Sequence, residues 1–205
     1  MAGRDHLARV RDVRDQEDLT RLYDDWAGAY DADLAGEGYV GPARVAAEVG
    51  RLLDGAERAF PILDYGCGTG LLGRALADAG LSRIDGCDVS DAMLDRARQT
   101  GVYGRLWSFD PEDPPRADPL RRDYAVICAC GAVAPGAAPP ATLHHLWDAT
   151  GEGMTLVFTW SAQAGADPDY AAALDAVLAR ATVVSDEAGP HLHGATARVI
   201  ALRRG

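Results

Sequence analysis

The sequence predicts an α/β fold: a mostly parallel sheet with helices on both faces, preceded by a helical cap. Three observations carry this. From residue 62 onward, short apolar runs alternate with helically patterned stretches, the order expected of a parallel sheet. Residues 62–79 pass from an apolar strand through a turn with three alternating glycines into a helix, the first half of a βαβ unit. Residues 124–130 are almost wholly apolar, as a central parallel strand buried on both faces should be.

Taken in order, residues 1–16 are charged, include His6 and lack an apolar stripe, so a loosely attached lead-in is expected. Leu19, Leu22, Tyr23, Trp26, Ala29 and Tyr30 recur at helical spacing, predicting one helix over 19–30. Residues 36–41 read as a loop, and Pro42 suits the first turn of a helix reaching about Leu53. Pro61 stops that segment, and Ile62 and Leu63 open the first strand. A second strand over 83–88 ends in Asp88, with Ser90 or Asp91 placed to cap a helix carrying Met93, Leu94 and Ala97. Strand three is expected over 102–109, closed by Asp110, and a Pro-rich loop follows over 111–119. After strand four, residues 131–140 form a loop of Gly, Ala, Val and Pro. A helix over 142–149, a strand over 154–159 and a helix over 169–180 come next. The last two strands are placed at 182–185 and 195–202, joined by a loop over 186–194 that carries His191 and His193.

The glycine turn marks a ligand site, because the carboxyl end of such a strand opens a crevice. Glycines permit φ > 0 and let a ligand lie against the backbone. Two patterns overlap in it. Gly68-Thr69-Gly70-Leu71-Leu72-Gly73 satisfies the dinucleotide G-x-G-x-x-G, with Asp88 about 20 residues on. Read from Asp64 through Gly66, Cys67, Gly68 and Gly70, the same stretch is D-x-G-x-G-x-G.

That longer form resembles motif I of the class I S-adenosylmethionine-dependent methyltransferases. Tyr23-Asp24-Asp25-Trp26-Ala27-Gly28-Ala29-Tyr30-Asp31 is similar to the Tyr-Asp-x-Trp-Ala-x-x-Tyr-Asp opening of small stand-alone members. The resemblance spans about residues 19–202. It implies S-adenosyl-L-methionine as cofactor and a Rossmann-like, seven-stranded, mostly parallel sheet whose last two strands form a reversed hairpin. Residues 1–58 would form the cap and 59–205 the cofactor-binding domain. It further implies that Tyr23, Trp26 and Tyr30 lie over the cofactor; the alternative is that these rings pack the cap onto the core, which for Trp26 fits as well. Asp88, with Val89 beside it, would take the ribose hydroxyls, Met93 would pack on the adenine, and Asp110 would accept the adenine amino group, with Glu112 and Asp113 as competitors. Cys130 would line the site at the end of strand four. The loop after that strand, over 131–140, lacks the Asn-Pro-Pro-Tyr of nucleobase amine methylases and carries no acid or histidine.

Composition removes several other chemistries. The net charge of −11 disfavours a polyanionic partner, so no nucleic acid is expected. The chain contains no lysine, which removes a P-loop and Schiff-base catalysis. Cys67, Cys87, Cys128 and Cys130 fall in no zinc spacing, so no metal is expected. A charged N-terminal stretch and no run of 18 apolar residues place the protein in the cytoplasm, away from membranes.

Methyl transfer is an in-line displacement that needs positioning more than acid–base help, and a base only when the acceptor must lose a proton. No residue stands out as that base; His191, His193 and Tyr30 are the candidates. The expected function is transfer of a methyl group to O, N or S of a small molecule, by a monomer or homodimer. Alternatives are an NAD(P)-dependent oxidoreductase using the same glycine turn and a non-catalytic S-adenosylmethionine-binding regulator.

Overall fold

Seven strands form one sheet in the order β3-β2-β1-β4-β5-β7-β6 in a computed structural model that describes residues 16–110, 124–192 and 194–205. The strands are β1 (Ile62–Tyr65), β2 (Ile84–Asp88), β3 (Tyr103–Ser108), β4 (Val126–Ala129), β5 (Thr155–Ser161), β6 (Thr182–Pro190) and β7 (Thr196–Arg203). The first five run parallel, and β7 enters antiparallel between β5 and β6. The helices are α1 (Gln16–Trp26), α2 (Tyr30–Gly36), α3 (Gly41–Leu52), α4 (Leu71–Asp78), α5 (Asp91–Thr100), α6 (Ala141–Ala149), α7 (Ala162–Ala166) and α8 (Pro168–Leu178).

Alternation along the central strands divides the core in two. Ile62, Val126, Cys128 and Val157 pack with Val45, Val49, Leu72 and Leu76 of α3 and α4. Leu63, Tyr65, Ile127, Ala129, Leu156 and Phe158 pack with Leu143, Trp147, Tyr170 and Leu174 of α6 and α8. Because both faces are covered, β1 and β4 are buried along their whole length, and parallel pairing of β1 with β2 and β4 brings the carboxyl ends of the three strands together.

Three expectations need correction. The helix expected over 19–30 breaks after Trp26, and α2 starts afresh at Tyr30. The break turns Tyr30 back onto Trp26, their rings meeting edge to face at 4.6 Å. The loop expected over 186–194 is mostly strand, since β6 continues to Pro190. An edge strand tolerates polar side chains and a terminal proline, because one side of its backbone has no partner to satisfy. Arg198 pairs with Asp186 across this hairpin. The short helix α7, capped by Ser161 through the Ala164 N–H, has no counterpart in the expected elements. The lead-in with His6, and Glu112, Asp113 and His193, lie outside the described residues.

Candidate active site

The turn after β1 is built from left-handed glycines, with φ of 65° at Gly66, 53° at Gly68 and 92° at Gly70. Only glycine adopts these angles without steric cost. The Gly70 N–H closes the turn on the Cys67 carbonyl at 2.9 Å, and the Cys67 N–H anchors it to the Cys87 carbonyl at 3.0 Å. Gly70 then caps α4. A Cβ on Gly68 would point into open space, whereas one on Gly66 would meet Ala132 Cβ at 2.8 Å.

Asp88 faces this turn from the tip of β2. Its Oδ2 accepts the Gly68 N–H at 2.8 Å and its Oδ1 the Ser90 N–H at 3.0 Å. Burial raises its pKa, and the backbone N–H groups of Ser90, Gly68 and Val89 oppose that rise. Ser90 caps α5 by accepting the Met93 N–H at 3.1 Å, so the cap and the carboxylate are set by one short segment.

A cavity of about 260 Å³ opens over these groups. Gly66 and Gly68 form one wall, with Asp88, Val89 and Met93 from the β2–α5 segment beside them. Leu19, Tyr23 and Tyr30 cover it from the cap, and Cys130, Gly131, Ala132, residues 137–139 and Thr142 close the side beyond β4. Tyr65 and Phe109, whose rings lie 5.0 Å apart, complete it. A smaller cavity of about 40 Å³ shares Tyr30, Gly66, Gly68 and Cys130 with it and is also lined by Asp64, Cys67, Thr69 and Tyr39.

Polar contacts pin the cap to the core. Asp31 accepts the Thr69 hydroxyl and pairs with Arg74 at 2.7 Å. Asp24 accepts the Ser90 hydroxyl, and the Tyr23 hydroxyl donates to the Gly136 carbonyl at 3.1 Å. Burial raises the pKa of Tyr23 and Tyr30, so both phenols are neutral donors at neutral pH. Burial likewise pushes the Cys130 thiol up to about 12, although Tyr39 and Thr159 hydrogen-bond it.

Of the residues singled out in the sequence, Tyr23, Tyr30, Gly66, Gly68, Asp88, Val89, Met93 and Cys130 line the main cavity. Asp64 and Cys67 line the smaller one. Gly70 lies beneath the turn, against Thr100 and Tyr103. Trp26 lines neither cavity; it is 1% exposed and donates to Asp33 at 2.7 Å. Its reach to the site goes through Tyr30. Asp110 is exposed just past β3, next to the cavity-lining Phe109. His191 lies behind Tyr39, ring to ring at 5.2 Å, while the Tyr39 hydroxyl meets Cys130 Sγ at 3.3 Å. Burial and nearby Arg44 lower the His191 pKa. Sequence reasoning missed Leu19, Tyr39, Tyr65, Phe109 and Thr142 as wall residues. Only Tyr65 carried a local signal, by directly preceding the first glycine.

The open space at Gly68, the carboxylate beside it and the apolar floor of Val89 and Met93 suit a nucleoside carried on a flexible chain. A methyltransferase-domain family model matches residues 62–153. The human methyltransferase-like protein 27 is 31% identical over 176 residues, covering 84% of this chain and 71% of that protein. The chain belongs to the S-adenosylmethionine-dependent methyltransferases. As a methyltransferase it is an enzyme whose cofactor is S-adenosylmethionine. A TehB-like S-adenosylmethionine-dependent methyltransferase from Corynebacterium glutamicum shares its fold, with a TM-score of 0.62 at 20% identity, covering 89% of this chain and 98% of that one. The ribosomal protein L11 methyltransferase of Alteromonas mediterranea is 36% identical over 73 residues, 33% of this chain and 25% of that protein. The antiparallel β7 also separates this methyltransferase sheet from the all-parallel 3-2-1-4-5-6 order of dinucleotide enzymes.

Proposed function

We propose that this methyltransferase acts on a small-molecule nucleophile held between the cap and the loop after β4. The observation that carries the reading is the joint lining of one cavity by Gly66, Gly68 and Asp88 on one side and by Tyr23, Leu19 and residues 137–139 on the other. Gly68 and Asp88 would hold the adenosine, the carboxylate accepting both ribose hydroxyls, with Val89 and Met93 against the base. Ionised acceptors make the stronger hydrogen bonds, and Asp88 is already aimed by two backbone donors. In this reading the described residues up to 58 act as the cap and those from 59 onward as the cofactor-binding domain.

When bound, the cofactor supplies an electrophilic methyl group on a sulfonium. The chain contributes orientation and exclusion of water. Tyr23 bridges the cap to Gly136, which narrows access from the acceptor side and favours a small acceptor over a macromolecular chain. Among the described lining residues, the phenols and the Cys130 thiol hold their protons at neutral pH. Asp88 is engaged by backbone. The site therefore favours acceptors that are nucleophilic without a base: thiolates, carboxylates or neutral amines. Four free cysteines, three of them buried, fit a reducing compartment, and we place the reaction in the cytoplasm.

Calorimetric titration with S-adenosylhomocysteine and with NAD tests the cofactor half of this reading, and binding of NAD alone would overturn it. A screen of thiols, carboxylates, amines and phenols for methylated product tests the acceptor half. Methylation of an intact protein or RNA, with no small-molecule product, would replace the small acceptor.

A further inference from the structure

The third glycine of the apparent dinucleotide fingerprint serves a side chain of this protein. Tyr103 opens β3, and its ring passes beneath the turn. A Cβ on Gly73 would lie 2.3 Å from the Tyr103 hydroxyl oxygen, one on Gly86 2.8 Å from Cε1, and one on Gly70 3.1 Å from Cε2. Three glycines from two elements thus make a slot for one ring. Through it the hydroxyl donates to Asp64 Oδ2 at 2.7 Å. Asp64 is 1% exposed and lines the smaller cavity. Its partners among the described residues are Tyr103 and the Gly73 N–H, while Asp88 opposes its charge. A carboxylate buried with two neutral donors and no cation is incomplete.

We propose that Tyr103 is a positioning residue, holding the Asp64 carboxylate toward the smaller cavity to receive the ammonium of the cofactor's methionine end. This rests on the cofactor half of the proposed function. S-adenosylmethionine carries its ammonium at the end away from the ribose. Asp88 lines the main cavity and Asp64 the smaller one, and the two cavities meet at Gly66 and Gly68, so the two acids match those two ends. Burial pushes the Asp64 carboxyl up to about 7, and the Tyr103 bond is the leading influence holding it down. Without that hydroxyl the group would stay protonated and lose its pull on a cation.

The test is calorimetric titration of wild type and Tyr103→Phe with two ligands, S-adenosylhomocysteine and 5′-methylthioadenosine, which lacks the amino-acid end. The expected result is a loss on the order of tenfold for S-adenosylhomocysteine, as for one hydrogen bond to a charged group, with methylthioadenosine unchanged. Equal losses for both ligands would make Tyr103 merely structural, and no loss would remove it; either overturns the proposal. Should Tyr103→Phe fail to fold, Asp64→Asn is read by the same pair of ligands and has to show the same selective loss. Wild-type protein that binds neither ligand would instead overturn the cofactor reading itself.

Discussion

The Arg74 guanidinium stands 2.7 Å from the Asp31 carboxylate, tying α4, which follows the glycine turn, to the cap helix that supplies Tyr30. Both side chains are about two-fifths exposed, at 42% and 41%, so solvent screening holds the pair to at most about 1 kcal/mol. Its effect should appear in kinetics. Arg74→Ala is expected to leave the unfolding midpoint nearly unchanged and to speed release of S-adenosylhomocysteine by up to about fivefold, the equivalent of 1 kcal/mol. Stopped-flow displacement measures this, and an unaltered release rate would show that the latch does not retain the ligand.

Asp88→Asn keeps the shape of the side chain and removes its charge. The loss of a charged acceptor costs about 1.5–3 kcal/mol, so affinity for S-adenosylhomocysteine should fall roughly 10- to 150-fold. One of the Gly68 and Ser90 N–H groups would also face an amide donor, so a small loss of stability accompanies it. Calorimetry with intact affinity would separate Asp88 from the ribose.

Gly66→Ala combines two faults. Its φ of 65° costs an alanine about 1–2 kcal/mol, and the contact with Ala132 Cβ at 2.8 Å adds about 1–3 kcal/mol of overpacking. Adding Ala132→Gly should restore the second part alone. A double-mutant cycle in urea reads the coupling; strictly additive effects would mean that the loop after β4 does not press on the turn.

Asp64 gives ligand binding a pH dependence with a definite sign. Its carboxyl sits at about 7 against an ordinary 3.8, so the folded, ligand-free protein binds an extra proton between those values. Stability from this group is present below about 4 and lost as pH rises through about 7. A ligand ammonium favours the ionised form, so affinity for S-adenosylhomocysteine should rise from pH 6 to 8 and then level off. Asp64→Asn should flatten that rise, as calorimetry across the range would show.

His191→Ala is expected to leave kcat unchanged. Tyr39 stands against the imidazole, and His191 lines neither cavity. A fall in kcat at constant cofactor affinity would restore it as a base.

Much of the fold could be read because strong local signals agreed. Pro61, the apolar start of β1 and the alternating glycines are each sufficient to mark their element, and Ser90 caps α5 where its type suggested. The break after Trp26 carried no such mark, since Ala29 and Tyr30 continue the apolar spacing across it. It follows from tertiary packing of Trp26 against Tyr30 and Asp33. Asp186 to Pro190 looked like loop because an exposed edge strand needs no apolar alternation. At the site, the motif residues were legible, but their partners were not. Asp24 and Asp31 stood in the sequence only as members of the Tyr-Asp motif, yet they reach Ser90 and Thr69 across 66 and 38 residues. Distances of that kind are set by the folded chain and leave no periodic trace.

The ring lodged among Gly70, Gly73 and Gly86 also links positions that evolve far apart in the chain. Any homologue with a side chain at the position of Gly73 should carry a small residue where this chain has Tyr103, and the aromatic should return only with the glycine. Aligned sequences would then show these sites substituting in pairs, and a glycine pattern shared with dehydrogenases would record a packing constraint rather than common descent of the ligand.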